Sequence, residues 1–193
     1  MVTIPKGAFG LCSNLKTVSL NTGTLTTIGP NAFAECRLLR QIGDDTYSVN
    51  LPYVKTIDNE AFSNCQSISE IRLPNIHVVG NRAFAFTRGL ESISFGRFLN
   101  TLGELIFYDN STSNSVRNYD KLTLYFYGNY PDLVSALNST SPTFGYTSQT
   151  NYFWPKNIRV ENQSLDVLEV YNTRLPGDWN EAIRDKIQLY HIP

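Results

Sequence analysis

Apolar residues along the first hundred positions fall into a frame that repeats. The pair Ala-Phe stands at Ala8-Phe9, Ala32-Phe33, Ala61-Phe62 and Ala83-Phe84, between 22 and 29 residues apart. Five residues before each Phe stands Ile4, Ile28, Ile57 or Val79; three after it stands Cys12, Cys36, Cys65 or Thr87; six after it stands Leu15, Leu39, Ile68 or Leu90. Apolar residues then alternate with polar ones at Val18 and Leu20, Ile71 and Leu73, and Ile93 and Phe95, which predicts short strands buried on one side. In the second unit Val49 and Leu51 fit best, because Leu51-Pro52 parallels Leu73-Pro74 and leaves 43–48 as an excursion; Ile42 is the competing choice. A two-apolar step at Leu25/Ile28, Val54/Ile57, Ile76/Val79 and Leu99/Leu102 leads into the next frame.

A worn fifth unit begins at Leu102 and keeps Phe107, with Ile106 in place of Ala. Its strand, Leu122 to Phe126, arrives late, after a polar run at 109–121 that reads as a surface loop. No such coil buries its apolar face alone, so neighbours must stack around a shared core. The prediction is an α/β repeat solenoid, a right-handed coil with short parallel strands on one face and irregular turns and short helices elsewhere. Residues 1–126 supply about five coils, and 127–193 an irregular last coil and a C-terminal cap.

Stacking turns each repeat position into a ladder. Phe9, Phe33, Phe62, Phe84 and Phe107 are expected to form an aromatic spine, and Cys12, Cys36 and Cys65 a buried column in which free Cys acts as a small apolar residue. Gly29, Gly80 and Gly103 suggest a turn of positive φ. In the cap, Leu165, Leu168 and Tyr171 lie on one side of a short helix that Ser164 can cap, and 180–186 suggests a second. The first coil has no such cover, which is expected of a segment of a longer array or of self-association through the N-terminal coil.

Composition narrows the partners. With 16 Lys+Arg against 17 Asp+Glu, the formal charge is −1, and neither nucleic acid nor an anionic membrane surface is expected as a partner, since both need clustered base. No stretch approaches the ~20 apolar residues of a membrane span, so no membrane insertion is expected. The opening MVTIPKGAFG lacks the regions of a secretory signal and already lies inside a repeat, as a processed or engineered start would.

The recurring I-G-x-x-A-F-x-x-C-x-x-L-x-x-I-x-L-P resembles the BspA-type leucine-rich repeat family, closely over residues 2–107 and more loosely through Ile158 to Val160, Leu165 to Tyr171, Trp179 and Ile187. Thr87 in the fourth Cys position, the degenerate fifth unit and the excursions at 43–48, 109–121 and 138–151 depart from the pattern. The resemblance implies a leucine-rich-repeat fold in a secreted or cell-surface protein, and a part in attachment to host matrix proteins or other cells.

Catalytic chemistry finds few candidates. A nucleophilic triad would need His77, on a repeat step, or His191, near the end, and the acidic residues Asp58, Glu60, Glu70 and Glu91 occupy variable positions where solvated charge is the ordinary reading. No metal-ligand spacing accompanies the cysteines, and neither enzyme activity, metal nor cofactor is expected.

Two surfaces are candidates for binding. If Val18, Ile71 and Ile93 point inward, Thr17, Ser19, Glu70, Arg72, Ser92 and Ser94 build a shallow polar strand face, suited to a protein or glycan chain rather than a metabolite. The second is aromatic: Tyr108 to Trp154 holds 11 aromatic residues among 47, interleaved with Asn, Ser, Thr and Gly as in binding loops. Phe126, Phe144 and Phe153 are expected inside and some of Tyr119, Tyr127, Tyr130, Tyr146, Tyr152 and Trp154 outside; the competing reading has all these rings plugging the last coils. The expectation is a non-catalytic adhesion module that binds an extracellular-matrix or cell-surface protein, with glycan capture or a structural spacer as alternatives.

Overall fold

The computed structural model describes residues 2–20, 22–43, 48–108 and 121–127, together with the strand segments 146–147, 151–152, 157–161 and 187–190. The predicted alternation yields β2 (Thr17–Val18), β4 (Gln41–Ile42), β5 (Val49–Asn50), β7 (Glu70–Leu73), β9 (Ser92–Gly96) and β11 (Thr123–Tyr127). With β14 (Asn157–Glu161) and β15 (Ile187–Tyr190) they form one sheet, ordered β15-β14-β11-β9-β7-β5-β4-β2, every pair of it parallel. The register aligns the repeat: Val49 pairs with Ile71, Ile71 with Ile93 and Ile93 with Leu124, all buried. From β5 to β11 an inward apolar residue on each strand therefore stacks on its counterpart one coil away.

Both second-unit candidates are strands. Ile42 pairs with Val18 on one side and Val49 on the other, so the second unit contributes β4 and β5 side by side. The apolar steps are also more than turns. They build a second parallel sheet, β1 (Val2–Ile4), β3 (Leu25–Ile28), β6 (Thr56–Ile57), β8 (Val78–Val79) and β10 (Thr101–Leu102), in that order. Strands on one face alone were expected; two-residue strands are too short to show a period of two, and only their repetition at matching positions pairs them.

The core between the sheets is a stack of ladders. Successive Phe rings from Phe9 to Phe107 lie near-parallel, with centroids 5.1, 5.3, 5.8 and 6.1 Å apart, within the range at which aromatic pairs add to simple burial. Phe33, Phe62, Phe84 and Phe107 are buried, and Phe9 is partly covered. The cysteine column holds only in part. Cys36 and Cys65 are buried, but Cys12 is exposed because no earlier coil lies over it. The Cys36 and Cys65 thiols donate to Phe9 O and Phe33 O of the preceding coils, whereas buried Thr87 turns its hydroxyl back to Phe84 O of its own coil.

The turn carrying each Phe has a backbone the sequence reading placed wrongly. Gly29, Gly80 and Gly103 do not have positive φ; the residues that do stand two before and two after each Phe, as at Asn31 (54°) and Glu35 (63°), Glu60 (55°) and Asn64 (61°), or Arg82 (53°) and Phe86 (57°). In this conformation the amides of Glu60, Phe62 and Asn64 donate to Asn81 O, Ala83 O and Ala85 O of the next coil at 2.8 to 2.9 Å. A non-glycine left-handed residue costs about 1–2 kcal/mol, and these inter-coil bonds offset it. Glycine at position 80 answers a different need: a Cβ there would stand 2.6 Å from Asn59 N, so the coils could not approach.

Between Phe turns, Asn59 Oδ1 accepts the Asn81 amide and Asn81 Oδ1 accepts the Glu104 amide, each at 2.8 Å. Backbone donors at this bend are thus satisfied by side chains one coil apart. The helices expected at 164–171 and 180–186 lie outside the described residues. Among the described residues, no helix is long and apolar enough to cross a membrane.

Candidate functional site

Strand alternation sends one set of side chains out of the larger sheet. Glu70, Ser92 and Thr123 are register partners across β7, β9 and β11; Asn50, Arg72, Ser94 and Tyr125 form the next row. Large residues flank small ones in both rows, and the difference in height makes a cleft of about 600 Å³ lined by Asn50, Glu70, Arg72, Pro74, Ser92, Ser94, Tyr125 and Tyr127. Its floor is the pair of serines. Strands lie ~4.8 Å apart, so Arg72 and Tyr125, two strands from each other, wall a gap ~10 Å wide.

The charged wall is internally paired. Arg72 Nε donates to Glu70 Oε1 at 2.8 Å, with both side chains substantially exposed. Such an exposed pair contributes at most about 1 kcal/mol to stability, but it fixes the direction of both groups. The opposite wall carries two phenols, Tyr125 half-buried and Tyr127 exposed. The arrangement offers a carboxylate, a guanidinium, hydroxyls and two aromatic surfaces around a shallow floor, a set suited to many weak contacts with an extended ligand.

Of the residues expected on the strand face, Glu70, Arg72, Ser92 and Ser94 come together here, joined by Tyr127 from the aromatic set. Thr17 and Ser19 are exposed, but β4 and β5 separate β2 from β7, and neither residue lines the cleft. Tyr146 and Tyr152 are register partners in a hairpin of β12 (Tyr146–Thr147) and β13 (Asn151–Tyr152). Tyr119, Tyr130 and Trp154 lie outside the described residues, as do Phe144 and Phe153; Phe126 is buried as expected. Asn50, Pro74 and Tyr125 were missed. The outward position of β11 matching Ser94 is Tyr125, so carrying the alternation one coil further would have found it.

Elsewhere, the Phe-turn side holds the groups whose ionisation is perturbed. Donation from the Asn64 amide at 2.6 Å, helped by Arg37, holds the Glu35 carboxyl below its ordinary value. Burial pushes the Cys36 thiol up to about 11 and the Cys65 thiol well above its usual range. His77, the histidine on a repeat step, pairs through Nδ1 with Asn75 O and stacks on Phe98. Among the described residues, no group of three or more His, Cys, Asp or Glu could hold a metal ion.

Open parallel ladders, stacked Phe rings and a coil of some two dozen residues define a leucine-rich-repeat solenoid. The sequence pattern of the BspA type leucine rich repeat region matches residues 43–130 in six copies, and this repeat region belongs to that family. The crystal structure of pneumococcal vaccine antigen PcpA superposes with a TM-score of 0.60 at 19% identity, over 97% of this chain and 38% of that one. A leucine-rich repeat protein from Bacteroides ovatus ATCC 8483 gives a TM-score of 0.49 at 23% identity, over 67% of this chain and 29% of that one. The chain thus spans less than two fifths of the length of either protein. No protein of curated function matches it significantly.

Proposed function

We propose that this chain is a non-catalytic recognition module of a secreted or surface-attached protein, and that it adheres to a partner protein through the strand-face cleft. The observation that carries this reading is the cleft's make-up: a floor of Ser92 and Ser94 between the Glu70–Arg72 pair and the Tyr125/Tyr127 wall. Tyr and Arg around a shallow, extended surface are the residue types that supply most binding energy at protein interfaces. Placement outside the cell rests on the repeat family, and fold alone does not fix function. One protein that shares the fold is a vaccine antigen, in keeping with that placement.

The test is a solid-phase screen of the purified chain on immobilised fibronectin, fibrinogen and a polysaccharide panel. Saturable binding to a protein is the expected outcome. Binding to sugars alone would overturn the reading in favour of glycan capture, and silence on every surface would favour a structural spacer.

A further inference from the structure

We propose that the corner where each coil passes from the larger sheet to the smaller one is a second docking surface, distinct from the cleft, and that it takes an extended acidic polypeptide segment. Among the described residues, three successive coils turn this corner without interruption, at 52–55, 74–77 and 96–100. In the first two, two residues separate the buried pairs Leu51/Val54 and Leu73/Ile76; in the third, three residues separate buried Phe95 from Leu99. The additional residue is Phe98, and with no core position left for it the ring stands 44% exposed, on the same corner as Tyr53 at 54%.

The Phe98 ring is held in place. Asn75 Nδ2 donates to Pro52 O at 2.7 Å, and Asn75 O accepts His77 Nδ1 at 3.0 Å. The His77 ring lies 5.7 Å from Phe98 and within 10° of parallel, while the Arg97 guanidinium sits 5.2 Å from the centre of the same ring. Gly96 makes the stack possible, because a Cβ there would fall 1.7 Å from Pro74 O. The fourth coil can seat its corner on the third only with glycine at that position. Aromatic and cationic groups already ordered lose little entropy on binding.

Charge selects the occupant. Exposed Lys55 and Arg97 stand on this corner, and the three corner segments contain neither Asp nor Glu. The acids of the same coils are turned elsewhere: Glu70 is paired with Arg72 on the strand face, Glu91 precedes β9 at the end opposite the corner, Asp58 Oδ1 accepts the Asn59 amide, and Asn59, Glu60, Asn81, Arg82, Glu104 and Leu105 line a separate recess at the bend before the Phe turn. Lys55 and Arg97 are two coils apart, ~10 Å at the spacing of paired strands, and are offset along the corner because Lys55 follows buried Val54 whereas Arg97 precedes buried Leu99, so four residues of extended chain, ~13 Å, are needed to span them. A segment with carboxylates four positions apart and an apolar side chain midway between them presents all three on one face, meets both cations and lays that side chain against the exposed rings.

The experiment is an NMR titration of the isotope-labelled chain with a synthetic peptide of repeating Asp-Gly-Leu-Gly, alongside the same peptide with Asn for Asp and a heparin oligosaccharide. The proposal expects shifts confined to 53–55, 75–77 and 97–100, and about tenfold weaker binding in Lys55→Ala/Arg97→Ala, with circular dichroism unchanged. Should that double variant fail to fold, Arg97→Gln alone makes the same comparison. Arg72→Ala, in the cleft, is expected to leave the titration unaltered. Equal binding of the Asn peptide, shifts in the cleft, binding of the oligosaccharide at the corner without the acidic peptide, or no shift at all would each overturn it.

Discussion

At the scale of single residues, the coil is governed by closeness of approach. Gly80, Gly96 and Gly103 all stand where a Cβ would lie within 2.6 Å of backbone on the neighbouring coil, so Gly80→Ala is expected to lower stability by about 1–3 kcal/mol in urea unfolding. The left-handed positions behave oppositely. Glu60 has φ 55° and only a loose, exposed ion pair with Arg82 at 3.8 Å. Glu60→Gly is therefore expected to leave stability unchanged or raise it by up to ~1 kcal/mol, and a loss larger than that would contradict the conformational reading. In the spine, Phe62→Ala empties the middle of the aromatic stack and is expected to cost about 3–5 kcal/mol. The buried thiols add a pH dependence. Burial raises the Cys36 thiol to about 11 and the Cys65 thiol well above its usual range, so the folded state favours the protonated form. The contribution is complete below pH ~9 and is lost as pH rises from there through the folded value. Thiol labelling at pH 8 is expected to modify exposed Cys12 at once and the other two only on unfolding.

At the scale of elements, what could be read from the chain depended on how long each pattern lasts. The Phe, Ala and Cys registers recur in unit after unit, so the stacked rings and the inward positions Val18, Ile71 and Ile93 followed from spacing alone. β6 and β8 could not be read in the same way, because Thr56–Ile57 and Val78–Val79 are two residues long and their partners lie a full coil away. The positive φ of Asn31 or Arg82 was hidden for another reason: no glycine marks it, and inter-coil hydrogen bonds override the residue's own preference. Four of the eight cleft residues came directly from the alternation of β7 and β9, and Tyr127 from aromatic composition. Asn50 required the choice between Ile42 and Val49, and both proved to be strands. The docking corner was illegible because Phe98 looks like any apolar residue until the residues between Phe95 and Leu99 are counted against the other coils.

At the scale of the whole molecule, stacking makes surfaces rather than pockets. Each coil contributes one outward residue per register row, so a site is written across strands β5, β7, β9 and β11 and no single loop contains it. Under the proposed function, binding energy is expected to be distributed over several side chains of this face, with the Arg72 and Tyr127 contacts expected to carry the largest shares. The central claim, that the strand-face cleft binds a protein, is tested most directly by surface plasmon resonance of the chain and of its Arg72→Ala/Tyr127→Ala variant over whichever immobilised matrix protein the screen identifies. The account expects saturable binding by the chain and a dissociation constant at least ~30-fold weaker for the variant, corresponding to ~2 kcal/mol. Equal affinity of the two proteins, with both folded, would contradict it.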